Sequence, residues 1–386
     1  MVSFEFATAA RLLFGGGKLA EVPTALRAQG VRRALVATNL PGPGADRLRS
    51  MLAAAGIESA VLPVDQEPTV DSVSAGRVRT RREGCDAVVG LGGGSAMDTA
   101  KAVAALATNE GDPLDYLEVV GRGRSLQARP LPFVAIPTTA GSGAEVTRNA
   151  VIGVPAAKVK VSLRSPFLLP ILAVLDPDLL DGLPKAVVAC SGLDALSHLV
   201  EALVSSRANP LTDALAAEGL RHSARALRRA YTSGLQADTR EDLMLASLCG
   251  GLCLANGGLG AVHGFAAPLG GMVHAPHGAL CAALLVPVME VNLRALAERA
   301  PEHPARARYR EIAEIVTGRH GAEVHEGVAW VRDLCQELEV RGLGHHGLSA
   351  SEVPALAAKA KVASSMRGNP VQLTDEELGD IAMRAL

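Results

Sequence analysis

The sequence predicts an α/β domain with a parallel sheet followed by an all-helical domain, and three observations carry that prediction. Short apolar runs rich in β-formers alternate with helix-patterned stretches through about residue 180. Strand patterns then stop, and Ala/Leu-rich helical periodicity continues from 184 to the C-terminus. Three consecutive glycines, Gly92 to Gly94, follow one apolar run and open a helix pattern. Strands separated by helices pair in parallel, because a parallel neighbour needs a crossover of roughly a dozen residues. The expected domains are 1–180 and 181–386.

The elements follow in order. RRALVATN (32–39) reads as a strand, and ADRLRSMLAAAG as a helix that ends at Gly56. IESAVLPV is a second strand and TVDSVSAGRVRTRREG a polar-faced helix, with Arg77, Arg79, Arg81 and Arg82 on a solvated face. CDAVVGLGGGS is a strand running into glycines, and AMDTAKAVAALATN the helix after it. LPFVAIPTT and ILAVLDPDLL complete the strand pattern. Helices are expected over 184–206, 209–234, 239–256, 302–318 and 373–386. Thr374 with Glu377 three residues later gives the last one a capping box.

Composition narrows the function. Hydrophobic residues make up 48% and charged residues 20% of 386, the balance of an ordinary globular chain. Lys+Arg 38 against Asp+Glu 40 leaves a net charge of -2, and ten aromatic residues offer few stacking platforms, so nucleic acid is not the expected partner. No run reaches about 18 uncharged apolar residues, so no membrane span and no membrane partner are expected on length. The N-terminus lacks the basic and apolar regions of a signal peptide. Six scattered cysteines read as reduced thiols of a cytoplasmic protein, with Cys249 and Cys253 on one buried helix face.

Two clusters point to a phosphate-bearing ligand. Gly92, Gly93, Gly94 and Ser95 let backbone N–H groups approach phosphate oxygens at the positive end of a helix. A tight strand-to-helix turn needs only one such glycine. The run matches neither GxGxxG nor GxxxxGK[ST]. Pro137 to Glu145, with Thr138, Thr139 and Ser142, follows another strand and adds hydroxyls where open α/β sheets bind ligands. In the helical half, Asp194 and His198 stand at i, i+4 on one helix face, and His263 and His277 lie in glycine-studded apolar sequence. Three imidazoles and a carboxylate suit a divalent metal such as Fe(II) or Zn(II). His345 and His346 read as a solvated loop.

In this order GGGSAMDTAK, PTTAGSGAE, LDPDLL, GLDALSHLVEA, GAVHGFAAPLGG and APHGA closely resemble the iron-containing (group III) alcohol dehydrogenases, over nearly the whole chain. The resemblance implies a dinucleotide-binding α/β domain and a helical metal-binding domain, the two-domain plan shared with dehydroquinate synthase. It implies oxidation of an alcohol to an aldehyde or ketone with NAD or NADP and Fe(II), or alternatively Zn(II), in a homodimer or higher homo-oligomer. The metal ligands fall on Asp194, His198, His263 and His277. Gly93, Gly94, Ser95, Asp98, Thr138, Thr139 and Ser142 fall around the nucleotide, and Lys160 near the nicotinamide ribose. Asn39 replaces an acidic residue that binds the ribose 2′-hydroxyl, which admits NADP and leaves NAD the favoured cofactor. Ala267 replaces a histidine that helps pass the proton, and His274 is the candidate substitute. Leu254 fills a slot that is often aromatic, implying a roomier aliphatic pocket. The competing readings are a maleylacetate reductase, a hydroxyacid-oxoacid transhydrogenase, a dehydroquinate synthase-like lyase and a non-catalytic sensor.

Overall fold

The computed structural model describes residues 3–40, 42–157 and 159–386. The chain folds into two compact units. One comprises Ala7–Thr139 and Ala144–Asp181. The other comprises Ala140–Gly143, Gly182–Leu386 and the described N-terminal residues through Phe6.

The first unit runs β1 (Leu12–Phe14), α1 (Val22–Ala28), β2 (Arg33–Thr38), α2 (Pro43–Ala54), β3 (Glu58–Pro63), α3 (Val70–Arg82), β4 (Ala87–Gly92), α4 (Gly94–Thr108), β5 (Phe133–Pro137), β6 (Asn149–Val154), β7 (Val159–Arg164) and β8 (Leu172–Leu175). Six strands form one parallel sheet in the order β1-β8-β5-β4-β2-β3. Its central strands are buried along their whole length, as expected where helices cover both faces. On one side Val36, Val89, Val134, Ile136 and Val174 pack with Leu26 of α1 and with Leu48 and Leu52 of α2. Thr38 pairs with Leu91 and Gly92 with Pro137, so β2, β4 and β5 end side by side and set Asn39, Gly93 and Thr138 along one sheet edge.

Two features lie outside the strand alternation read from the sequence. β1 is an edge strand of three residues, too short for a pattern. β6 and β7 form an antiparallel hairpin, whose Ile152 and Leu163 pack with Val73 of α3 and Leu106 of α4. β6 alternates in burial, one face packed and the other open, unlike the fully buried central strands of the parallel sheet, and the Pro155–Ala157 turn leads from it to β7.

The second unit contains α5 (Lys185–Val204), α6 (Pro210–Ser233), α7 (Ala237–Gly257), α8 (Ala261–Met272), α9 (His277–Arg299), α10 (Ala305–Thr317), α11 (Val324–Glu337), α12 (Val353–Val362) and α13 (Asp375–Arg384). α5 is the central helix, buried from Gly192 through Val204 and packed against α6, α7 and α9. The capping box on α13 forms as expected: Glu377 N–H donates to Thr374 Oγ1 at 3.2 Å, and Thr374 N–H donates to Glu377 Oε2 at 2.7 Å.

The membrane expectation requires a correction. α5 and α9 are both long and apolar enough to cross a membrane by length and composition. Counting uninterrupted apolar residues misses them, because isolated polar side chains, such as Asp194 and His198 in α5 and Glu290 in α9, break each run while its average stays apolar. In this fold 83% and 67% of those apolar windows are buried inside the protein.

Candidate functional site

α5 carries Asp194, His198 and Glu201, at i, i+4 and i+7 and therefore on one face. α8 brings His263 to that face, and α9 begins at His277 and carries Cys281 one turn later. His263 Nε2 lies 3.5 Å and His277 Nε2 3.9 Å from Asp194 Oδ1. Cys281 Sγ lies 3.6 Å from each of those two nitrogens. The ligand atoms of Asp194, His263, His277 and Cys281 all fall within 4.8 Å of one another. His198 stands beside this group, its ring stacked on His263 with centroids 4.5 Å apart.

Two buried side chains hold the start of α8 in place. Glu201 Oε1 accepts from Val262 N–H at 2.6 Å, and Asn369 Oδ1 accepts from Ala261 N–H at 3.1 Å. The other Glu201 oxygen, Oε2, pairs with His263 Nδ1 at 2.7 Å. An acceptor on Nδ1 fixes the ring's orientation and points Nε2 at Asp194. α9 approaches α5 closely through Gly278, where a Cβ would stand 2.1 Å from the Cys190 carbonyl oxygen.

The electrostatics favour a cation. Burial alone would raise the Asp194 carboxyl, but the imidazoles of His198, His277 and His263 hold it far below its ordinary range. His277 is pushed up to about 9, with the neighbouring Cys281 sulfur the largest cause and Asp194 adding to it against desolvation. Burial opposes protonation of His263, yet Cys281, Asp194 and Glu201 together drive its pKa well up. His198, by contrast, is pushed down to about 3 by burial. Among the described residues, Asp194 Oδ1 and His198 Nδ1 are buried without a hydrogen-bond partner. Buried polar atoms are rarely left so. Orphaned oxygen and nitrogen donors, on a cluster that draws positive charge, fit a divalent metal.

In the α/β unit, Gly92 adopts φ +150°, and a Cβ there would come within 2.0 Å of Asn39 Oδ1. That oxygen accepts from Gly93 N–H at 3.2 Å, joining the end of β2 to the glycine turn. No side chain caps the start of α4 at Gly93 and Gly94, and Ser95 is half-buried beside them. Thr138 is buried and donates its backbone N–H to Gly92 O at 2.9 Å, while Thr139 is half-buried 3.5 Å from where a Gly93 Cβ would stand. Asp98 Oδ2 accepts from Val151 N–H at 3.0 Å, tying α4 to the hairpin. Lys160, on β7, forms an ion pair with Glu67. Ser142 belongs to the short segment that packs in the helical unit. There His274 and Ala267 are exposed and Leu254 is half-buried on α7.

Sequence reading missed Glu201 and Cys281. Both carried a signal, since Glu201 continues the Asp194/His198 face at i+7 and Cys281 repeats the i, i+4 spacing from His277.

The profile of iron-containing alcohol dehydrogenases matches residues 9–177, and that of the C-terminal part of the Fe-containing alcohol dehydrogenase family matches 188–386. The chain is 34% identical to choline dehydrogenase of Bacillus subtilis over 371 residues, covering 94% of this chain and 90% of that protein. It resembles the crystal structure of 1,3-propanediol oxidoreductase with a TM-score of 0.92 and 33% identity, over 100% of both chains. It also resembles sulfoacetaldehyde reductase from Bifidobacterium kashiwanohense, solved in complex with NAD+, with a TM-score of 0.88 and 26% identity over 100% of this chain and 99% of that one.

Proposed function

The chain belongs to the iron-containing alcohol dehydrogenase family and is a metal-dependent alcohol oxidoreductase, and on that premise we propose that it moves hydride between a small primary alcohol and NAD(H). The reductase, transhydrogenase and lyase alternatives are not favoured by these relatives. The observation that carries the proposal is the cluster of Asp194, His263 and His277, with its orphaned carboxylate oxygen.

Asp194, His198, His263 and His277 would hold the metal, Fe(II) first and Zn(II) as the alternative. When bound, it supplies a Lewis acid that favours loss of the alcohol proton, and the nicotinamide accepts the hydride. Glu201 keeps His263 oriented, and Asn369 keeps α8 in place beneath it. A divalent metal held by one carboxylate and neutral imidazoles would keep a net positive charge that favours an anion.

Gly93, Gly94 and Ser95 would meet the nucleotide phosphates at the uncapped start of α4, with Thr138, Thr139 and Ser142 adding hydroxyls. Asp98 braces that helix through Val151. Lys160 would exchange Glu67 for a ribose hydroxyl. The neutral Asn39 carboxamide brings no positive charge to a 2′-phosphate, which supports NAD over NADP, and the NAD+ complex of the sulfoacetaldehyde reductase is consistent with that choice. An imidazole nitrogen of exposed His274 would pass the alcohol proton to solvent. We further propose a cytoplasmic homodimer or larger homo-oligomer, in keeping with six free cysteines.

The test follows reduced nicotinamide absorbance with Fe(II)- or Zn(II)-loaded protein, each nucleotide, and a panel of short alcohols, diols and 2-hydroxyacids. Metal-dependent reduction of NAD ahead of NADP, slowed in His274→Ala, is expected. Faster turnover with NADP overturns the reading of Asn39, and an undiminished rate in His274→Ala overturns that of His274.

A further inference from the structure

Asn292 lies on α9 among the buried side chains of Val288, Met289, Val291, Ala295 and Leu296, and is itself 1% exposed. A carboxamide in such surroundings is costly unless its hydrogen bonds are made. Asn292 makes them chiefly with Asn369, which is also buried. Asn292 Nδ2 donates to Asn369 Oδ1 at 3.1 Å, and Asn369 Nδ2 donates back to Asn292 Oδ1 at 2.7 Å, closing an amide pair. Asn292 Nδ2 also donates to Tyr309 Oη of α10 at 3.3 Å, and Asn369 Nδ2 to Val371 O at 2.8 Å. With its nitrogen committed to Val371 and Asn292, the Asn369 amide has one orientation, and its oxygen accepts from Ala261 N–H, the first residue of α8. The seat is tight: a Cβ on Gly260 would stand 2.8 Å from that oxygen and 3.0 Å from Glu201 Oε1. His263 follows Ala261 by two residues. The pair therefore joins α9, which begins at His277, to the turn of α8 that carries His263.

We propose that Asn292 is a positioning residue for the metal site: acting through Asn369, it fixes the start of α8 and so holds His263 in register with Asp194, His198 and His277. The inference rests on the metal-dependent reading of this site and adds a residue that is not itself a ligand. Without Asn292, the Asn369 amide is free to turn and present its nitrogen to Ala261 N–H, donor against donor. Glu201 then holds the first turn of α8 alone, and the imidazole two residues on loses its fixed place. Groups that orient a ligating histidine govern metal affinity as well as turnover.

The test titrates the full-length protein with Co(II) alone and reads the dissociation constant from the visible d–d bands. Asn292→Leu is expected to keep its helical circular dichroism and to bind Co(II) about tenfold more weakly. In an Asn369→Ala background the same substitution is expected to change affinity by less than about twofold, because the residue it acts through is already gone. Unchanged affinity in Asn292→Leu overturns the assignment and leaves the metal reading intact. Equal losses in the two backgrounds also overturn it, since Asn292 would then act by another route. Absence of any bound cobalt in wild type overturns both readings. Should Asn292→Leu fail to fold, hydrogen exchange in wild type decides. Coupling is reciprocal, so Co(II) is expected to slow backbone exchange over 368–371, which holds no ligand. Exchange there that ignores Co(II) overturns the proposal.

Discussion

Glu201 accepts from the Val262 backbone and pairs with His263 Nδ1, so one carboxylate fixes both the start of a helix and the direction of an imidazole on it. Its i+7 spacing places it on the Asp194/His198 face, but the sequence does not say that this face meets α8. The four residues of the candidate metal site were readable for a different reason. Asp and His in glycine-flanked apolar sequence are costly unless paired or ligating, and so they stand out. The same cost appears at Glu145, buried near Lys101 in the α/β unit. Lys101 donates to Thr147 Oγ1 at 2.8 Å and Asn149 O at 2.9 Å, and burial lowers it to about 8, so it stays charged at neutral pH. Burial raises Glu145 from 4.5 to about 7 against the pull of Lys101. The folded chain keeps the Glu145 proton where the unfolded chain has released it. The resulting stabilisation is full below about pH 4.5 and is lost as pH rises through 7, up to about 3 kcal/mol in all. Denaturant unfolding of wild type and Glu145→Gln from pH 4 to 8 checks this. Their stability difference is expected to change steeply between pH 4.5 and 7, and a pH-independent difference contradicts the assignment.

At the scale of elements, the long helices were legible because their apolar faces repeat over many turns, whereas β1 and the β6–β7 hairpin were not. A three-residue strand has no period to read, and the hairpin is held by contacts with α3 and α4 that lie far away in sequence. The close crossing of α9 over α5 was equally hidden, since Gly278 becomes informative only once the Cys190 carbonyl is known to lie against it. Helix propensity alone favours alanine over glycine there by roughly 1 kcal/mol. The backbone clash outweighs this and must push α9 outward, taking His277 away from Asp194. Gly278→Ala is therefore expected to keep its helical circular dichroism and lose about 10²-fold in turnover, the cost of displacing a reacting group by about 1 Å. Full turnover in that variant would show that the crossing does not position His277.

The whole molecule divides along its chemistry. The metal-type donors all come from the helical unit, and the uncapped glycine turn with its neighbouring hydroxyls comes largely from the α/β unit. The chain passes between the units at 6/7, 139/140, 143/144 and 181/182. The visit of Ala140–Gly143 to the helical unit has no signature in composition, since small residues mark any loop. That segment packs hard against α5, since a Cβ at Gly141 would stand 2.5 Å from the Ser191 carbonyl oxygen. The central claim is that this cluster binds a metal on which alcohol oxidation depends. The most direct test measures bound metal per chain and the rate of NADH formation on the same samples, for wild type and His263→Ala, before and after chelation. The account predicts that metal and rate fall together on chelation, that Fe(II) or Zn(II) restores both in wild type, and that His263→Ala recovers neither. Full turnover in protein shown to be free of metal would contradict it.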